Sequence, residues 1–118
     1  MEKVFEEVGR ERAPRLKEKF GLDVDDASSL AQIIDFEDAV FGVNGQWVEI
    51  GPKRAVKHET ECAMLGELKR CPEYCTRLAM AMERGTLEAL RGRPKRAYLA
   101  KTLAQGDERC EAVLEVMD

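Results

Sequence analysis

The hydrophobic period of the chain first changes between Gly42 and Gly45, and that change decides the class of fold it can adopt. Before it, apolar side chains recur every three or four residues: Val4, Phe5, Val8, Leu16 and Phe20 in one run, then Leu30, Ile33, Ile34, Val40 and Phe41 in another. Such spacing lines one face of a helix. Pro14 is placed to break or kink the first helix and Gly21 to stop it, Asp25 or Asp26 can cap the second, and Gly42 with the turn-prone Asn44-Gly45 pair ends it. Beyond Gly45 the period falls to two. The run Gln46 to Ile50, the turn at Gly51-Pro52 and the run Arg54 to Cys62 read as a hairpin, with Val56, His58, Thr60 and Cys62 expected on one face. Cys71-Pro72 opens a third helix whose stripe continues through Leu78, Met82 and Leu90, Pro72 suiting its first position. Two more strands, Ala97 to Leu103 and Cys110 to Val116, flank the turn Gln105 to Glu108, with Cys110, Ala112, Leu114 and Val116 on one face.

The element order is therefore α-α-β-β-α-β-β. Short turns join neighbouring strands, which demands antiparallel pairing, so the expected architecture is α+β with helices packed on one antiparallel sheet. A chain of 118 residues has room for one core, and residues 1–118 read as a single domain. The 19 basic and 23 acidic residues give a net charge of -4, which argues against a nucleic-acid partner. No apolar run is long enough for a signal peptide or a membrane span, and the expected location is the cytoplasm.

Four cysteines, Cys62, Cys71, Cys75 and Cys110, are the chemistry-bearing residues. In a reducing compartment they stay thiols, and three roles compete for them. As metal ligands, Cys71 and Cys75 would form a close helical pair completed by Cys62 and Cys110, a soft-donor set suited to zinc. As catalysts, Cys71 at a helix N-terminus, or else Cys62, would be the nucleophile and His58, the sole histidine, the base, assisted by Glu59, Glu61 or Glu73. As plain side chains, all four fall on expected apolar faces, where free cysteine packs as a small hydrophobe. Cys62, Cys75, Cys110 and Met82 would then line a ligand pocket or simply the core. Ser-His-Asp order, a Gly-rich phosphate loop and the His-Glu-x-x-His pattern are all missing. The basic run from Arg91 to Arg96 reads first as a solvated loop between helix and strand.

The stretch from Cys71 to Glu88, the strand after it and the element Ala104-Gln105-Gly106-Asp107-Glu108-Arg109-Cys110 carry a resemblance. They resemble the family named for L-2-amino-thiazoline-4-carboxylic acid hydrolase, within the vinyl-4-reductase (V4R)-like domain superfamily, over roughly Glu59 to Val116. Relatives of the sensory type with a zinc site place a cysteine four residues before the glycine, where this chain has Thr102. The resemblance implies a V4R-like sandwich that binds a small molecule in its interior. As a sensor such a domain would act by forming a homodimer or docking on a partner protein; as an enzyme it would be a cysteine-dependent hydrolase.

Overall fold

The computed structural model describes residues 1–118 and places ten elements along the chain. Helices α1 (Glu2–Phe20) and α2 (Ala27–Phe41) lead into strands β1 (Val43–Ile50) and β2 (Arg54–Cys62). A short helix α3 (Leu65–Leu68), a π-helical turn (Tyr74–Ala79) and helix α4 (Met80–Leu90) follow. Strand β3 (Lys95–Lys101), a 3-10 turn (Leu103–Gln105) and strand β4 (Cys110–Val116) close it. The strands form one antiparallel sheet in the order β1-β2-β4-β3, so the α+β class and the antiparallel sheet with helices packed on it hold as expected.

The helix ends obey local chemistry. Asp26 caps α2, its carboxylate accepting the Ser28 N–H at 2.9 Å. Gly21 and Gly42 end α1 and α2 in left-handed conformations, φ 60° and 72°, that favour glycine. Of the break or kink expected at Pro14, the break does not occur, since α1 runs through it to Phe20. The proline is exposed, and its ring deprives only the carbonyl one turn earlier of its donor, so the remaining ladder carries through.

Directly paired residues share a face of the sheet, and the register therefore reads out the core side. Ala55 stands opposite Leu114, Lys57 opposite Ala112 and Glu59 opposite Cys110, while Ala97 and Leu99 flank β4 from its other edge. Onto this face pack Ala13 and Leu16 of α1, Leu30, Ile33 and Ile34 of α2, and Leu87 and Leu90 of α4. At about 25 cal/mol per Å² of apolar surface removed from water, that shared burial is the main force joining helices to sheet.

Helices α1 and α4 run side by side in the same direction: Glu2 meets Arg77, Glu6 meets Arg84 and Arg10 meets Glu88. Their backbones touch. A side-chain carbon placed on Gly9 would lie 2.1 Å from the Met82 carbonyl oxygen, and one on Gly85 2.1 Å from that of Glu6.

Two local departures from the expected pattern bear on the site. Strand β2 carries an extra residue, Thr60, opposite the Asn44-Gly45 step, since Gly45 pairs with Glu59 and Asn44 with Glu61. This bulge reverses the alternation beyond it. Cys62 is thereby turned to the helix side with Glu59, not to the side of Val56 and His58. The expected helix from Cys71 is also reorganised, because the chain first makes α3, then turns at Cys71-Pro72, and enters α4 through wide π-helical turns. The third strand begins at Lys95 and ends at Lys101, two residues earlier at each end than the sequence suggested.

Candidate functional site

Between the helix-side face of the sheet and the segment from α3 to the start of α4 lies a cavity of about 160 Å³, with 20 of its 24 lining residues hydrophobic. The wall is built from all quarters of the fold. Ile34 and Phe41 come from α2, Leu65 and Leu68 from α3, Tyr74 and Ala79 from the π-helical turn, Met80 and Met82 from α4, and Leu99 and Leu103 from the β3 region. The wide turn sets Tyr74 and Cys75 on the wall together, and Phe5 of α1 packs edge-on against Tyr74 with ring centres 6.0 Å apart.

Cys62, Cys75, Met82 and Cys110 all lie on this wall. Burial, followed by the neighbouring Cys110, Cys62 and Glu59, pushes the Cys75 thiol up to about 11. Burial also raises Cys110, against the Leu103 N–H that donates to its sulfur at 3.4 Å. Both are weak nucleophiles, since the thiolate is the reactive form.

Cys71 is not with them. It is exposed in the turn before the π-helical segment, where its N–H donates to the Leu68 carbonyl and its own carbonyl accepts the Tyr74 N–H. The four-residue stacking of Cys71 on Cys75 presumed one continuous α-helix, and the turn at Pro72 removes it. The four-cysteine metal set is accordingly not assembled: no group of three or more Cys, His, Asp or Glu side chains is arranged to hold a metal ion. His58 lies across the sheet, directly opposite Glu111, whose carboxylate is 2.9 Å from the imidazole Nε2. The structure therefore does not bring the expected nucleophile and base together in the cavity.

The Gly-Asp-x-x-Cys element forms a closed turn. Asp107 Oδ2 accepts the Thr102 N–H at 2.8 Å, the Asp107 N–H returns to the Thr102 carbonyl, and Gly106 takes φ 99° between them. The basic run is likewise a structured loop: Asp25 accepts the Arg93 N–H at 2.7 Å, and the Lys95 ammonium is folded under onto the carbonyls of Arg91 and Arg93.

Sequence reasoning missed the polar floor of the cavity except for Glu59. Glu37, Asp38, Glu59 and Glu83 are all on the wall. Arg12 of α1 reaches beneath them, its Nη2 bonded to Glu83 at 2.8 Å and its Nε to the Thr86 hydroxyl at 2.9 Å, with Nη1 2.6 Å from Glu37. Lys57 lies between Asp35 and Asp38 at 2.8 and 2.7 Å. Burial works against its ammonium, but those two carboxylates hold its pKa above the usual lysine range. Burial raises the Glu37 carboxyl well above the ordinary range, reinforced by the Glu83 carboxylate. Burial, then a hydrogen bond with Asp38 and that group's charge, pushes Glu59 up to about 9. A signal for these groups was present: Glu37 continues the spacing of Leu30, Ile33 and Ile34, and Glu83 that of Leu87 and Leu90, so each puts a carboxyl where the stripe calls for a hydrophobe.

Glu59 makes stability depend on pH in the less common direction. The folded protein keeps a proton up to about pH 9 that the unfolded chain releases near 4.5, so between those values the unfolded state binds fewer protons and stability falls as pH rises. The slope reaches at most about 1.4 kcal/mol per pH unit for one proton. Guanidinium titrations at about pH 6 and about pH 8.5 should find wild type losing stability between them and Glu59→Gln losing clearly less; equal slopes would refute the assignment.

The fold and the cavity define a small α+β domain with an apolar interior and an acidic floor. No protein-family model and no curated protein sequence matches the chain, and the family expectation rests on the residues that carried it. Among solved structures it is similar to a trafficking protein particle complex subunit 3 from Naegleria fowleri, covalently bound to palmitic acid, with TM-score 0.69 and 16% identity over 99% of this chain and 78% of that one. It is also similar to the phenol-responsive sensory domain of the transcription activator PoxR with phenol, TM-score 0.52 and 14% identity over 98% of this chain and 64% of that one. Likeness at this identity shows the shared fold. No helix is long and apolar enough to cross a membrane.

Proposed function

We propose that this is a cytoplasmic small-molecule-binding domain, holding a mainly apolar ligand of about one ring in the cavity, in contact with Cys62, Cys75, Met82 and Cys110. The cavity carries the proposal. An engineered apolar cavity of about 150 Å³ binds benzene, and the 160 Å³ here suits a ring better than a long acyl chain. The two similar structures support a binding role, since one holds phenol and the other palmitic acid. Binding is favoured over thiol hydrolysis by the raised Cys75 and Cys110 and by the separation of Cys71 and His58 from the wall. Four free thiols support a reducing location.

As a sensor, such a domain would report occupancy to a second copy or to another protein. Phe41 belongs to the cavity wall and is also 44% exposed beside Val40, which offers such a route to the surface. The test is ligand-dependent melting. Saturating phenol or toluene should raise the midpoint of the wild-type protein, as any ligand specific for the native state must, while Ala79→Phe, which fills the cavity from the π-helical turn, should fold and lose the shift. An unshifted wild type, or an equal shift in the variant, would count against the cavity.

A further inference from the structure

We infer that residues 64–73, which wall the cavity on the side away from the sheet, are its door: α3 unwinds while the rest of the domain stays folded, and the chamber opens to solvent through the gap. As the way in for a ligand the door rests on the binding reading above, whereas the opening itself occurs in the empty protein. No polar contact ties this segment to the domain beyond the π-helical turn that continues it. The Ala63 N–H, just before it, donates to the Gly42 carbonyl at 3.0 Å. After that the N–H groups of Leu68, Lys69, Arg70 and Cys71 donate to the carbonyls of Met64, Leu65, Glu67 and Leu68, and the Tyr74 N–H returns to Cys71. Glu73 pairs with Arg77 of the π-helical turn at 3.0 Å, while Glu67, Lys69 and Arg70 have no ionic partner. The next firm anchors lie past the segment, where Tyr74 packs on Phe5 and Arg77 bonds Glu2 at 2.8 Å.

What holds the segment down is apolar contact, and that contact faces a hole. Met64, Leu65 and Leu68 all line the cavity, and α3 otherwise leans on the 3-10 turn after β3. Side chains bordering an empty space of about 160 Å³ lack partner atoms on that side and forfeit part of the dispersion energy a filled core would give. Accordingly none of residues 60–80 is fully buried, although Glu59 and Ala81 on either side are.

The helix adds little of its own. Isolated helices shorter than about 12–15 residues are marginal in water, and α3 has four residues, one of them Gly66 with open space where its side chain would be. The other walls are fixed more firmly: β4 is paired along both edges with Val113 and Leu114 buried, and α4 meets α1 at backbone contact through Gly85. Segments with self-contained hydrogen bonds and few buried contacts open at the least cost, so this side of the chamber gives way before the sheet or α4 does.

Thiol labelling of the full chain measures the opening without a ligand. Cys62, Cys75 and Cys110 lie on the wall and Cys71 is exposed outside it, so a protein carrying Cys71→Ser presents wall thiols alone. Gly66 and Glu67 are exposed and off the wall, so substitutions there change the door and leave the chamber as it is. When reclosing outpaces the reagent, the labelling rate follows the open fraction. In the Cys71→Ser background Glu67→Gly should speed labelling by an aromatic disulfide about threefold and Gly66→Ala should slow it about fivefold, the factors that helix propensity sets for these exchanges. The rate should rise only slightly with small additions of guanidinium, because a local opening exposes little surface. Equal rates in the three proteins, or a rate that climbs with the full slope of global unfolding, would overturn the inference. Saturating toluene should slow the labelling further. Variants that differ as stated while toluene changes nothing would support the door and remove the ligand-binding reading.

Discussion

Gly85→Ala should cost about 3 kcal/mol or more of folding stability, although alanine favours a helix over glycine by about 1 kcal/mol. The reason is distance: the added carbon would stand 2.1 Å from the Glu6 carbonyl oxygen and 2.9 Å from its carbon, against backbone that no rotamer change can move. Helices α1 and α4 would have to separate, withdrawing Ala13, Leu16, Leu87 and Leu90 from their shared core. Gly9→Ala meets the Met82 carbonyl at the same distance and should behave alike. Gly66→Ala is the control, because that glycine is helical with nothing within 4 Å, and it should be neutral or slightly stabilising. Chemical denaturation of the three variants decides the matter. A Gly85→Ala protein as stable as the control would show that the two helices do not meet at backbone contact.

Arg12→Met should lose about 3–5 kcal/mol, the range for removing one partner from a buried ion pair. Arg12 is the only cation between Glu37 and Glu83, and its Nε also satisfies the buried Thr86 hydroxyl. Methionine keeps an apolar stem of comparable reach, so the loss reports the missing charge and hydrogen bonds rather than a void. The sign of the pH dependence follows. Without the guanidinium, which holds the raised Glu37 carboxyl down, that group stays protonated to higher pH, so the variant retains a proton that the unfolded chain gives up, and its deficit should be larger at about pH 8 than at about pH 5.5. A deficit that is constant across that range would assign the effect to packing alone.

Much of the fold was legible because each signal was local. Asp26, Gly21 and Gly42 set helix ends through caps and left-handed residues, and the alternation from Cys110 to Val116 gave a strand with the observed bounds. The hairpin and the antiparallel sheet came from turn lengths. Features that shape the site were less legible, because they break periodicity by one residue. Nothing about Thr60 announces a bulge: it arises where β2 meets β1 at Gly45, whose position leaves no room for a side chain because a carbon there would lie 2.2 Å from the His58 carbonyl oxygen. The π-helical turn is equally hidden, since Cys71-Pro72 is an ordinary helix opening in isolation. The three expected ligand-wall cysteines reach one cavity nonetheless, while Cys71 and His58 are left outside it. The rest of the carboxyl floor, beyond Glu59, was overlooked for a different reason. Charged residues make up 36% of the chain, and Glu37 and Glu83 stand out only when the stripe around them is followed through the position they occupy.

The π-helical turn from Tyr74 to Ala79 also has a developmental side. A segment wound this way holds one residue more than an α-helix making the same turn, so losing a single residue there would restore regular winding while leaving the flanking chain near its present orientation. The change would fall on the wall itself, where Tyr74, Cys75 and Ala79 lie, while α4 stayed clamped to α1 through Gly85. The chamber's wall can thus be reshaped by one codon, without touching the residues that make the domain fold.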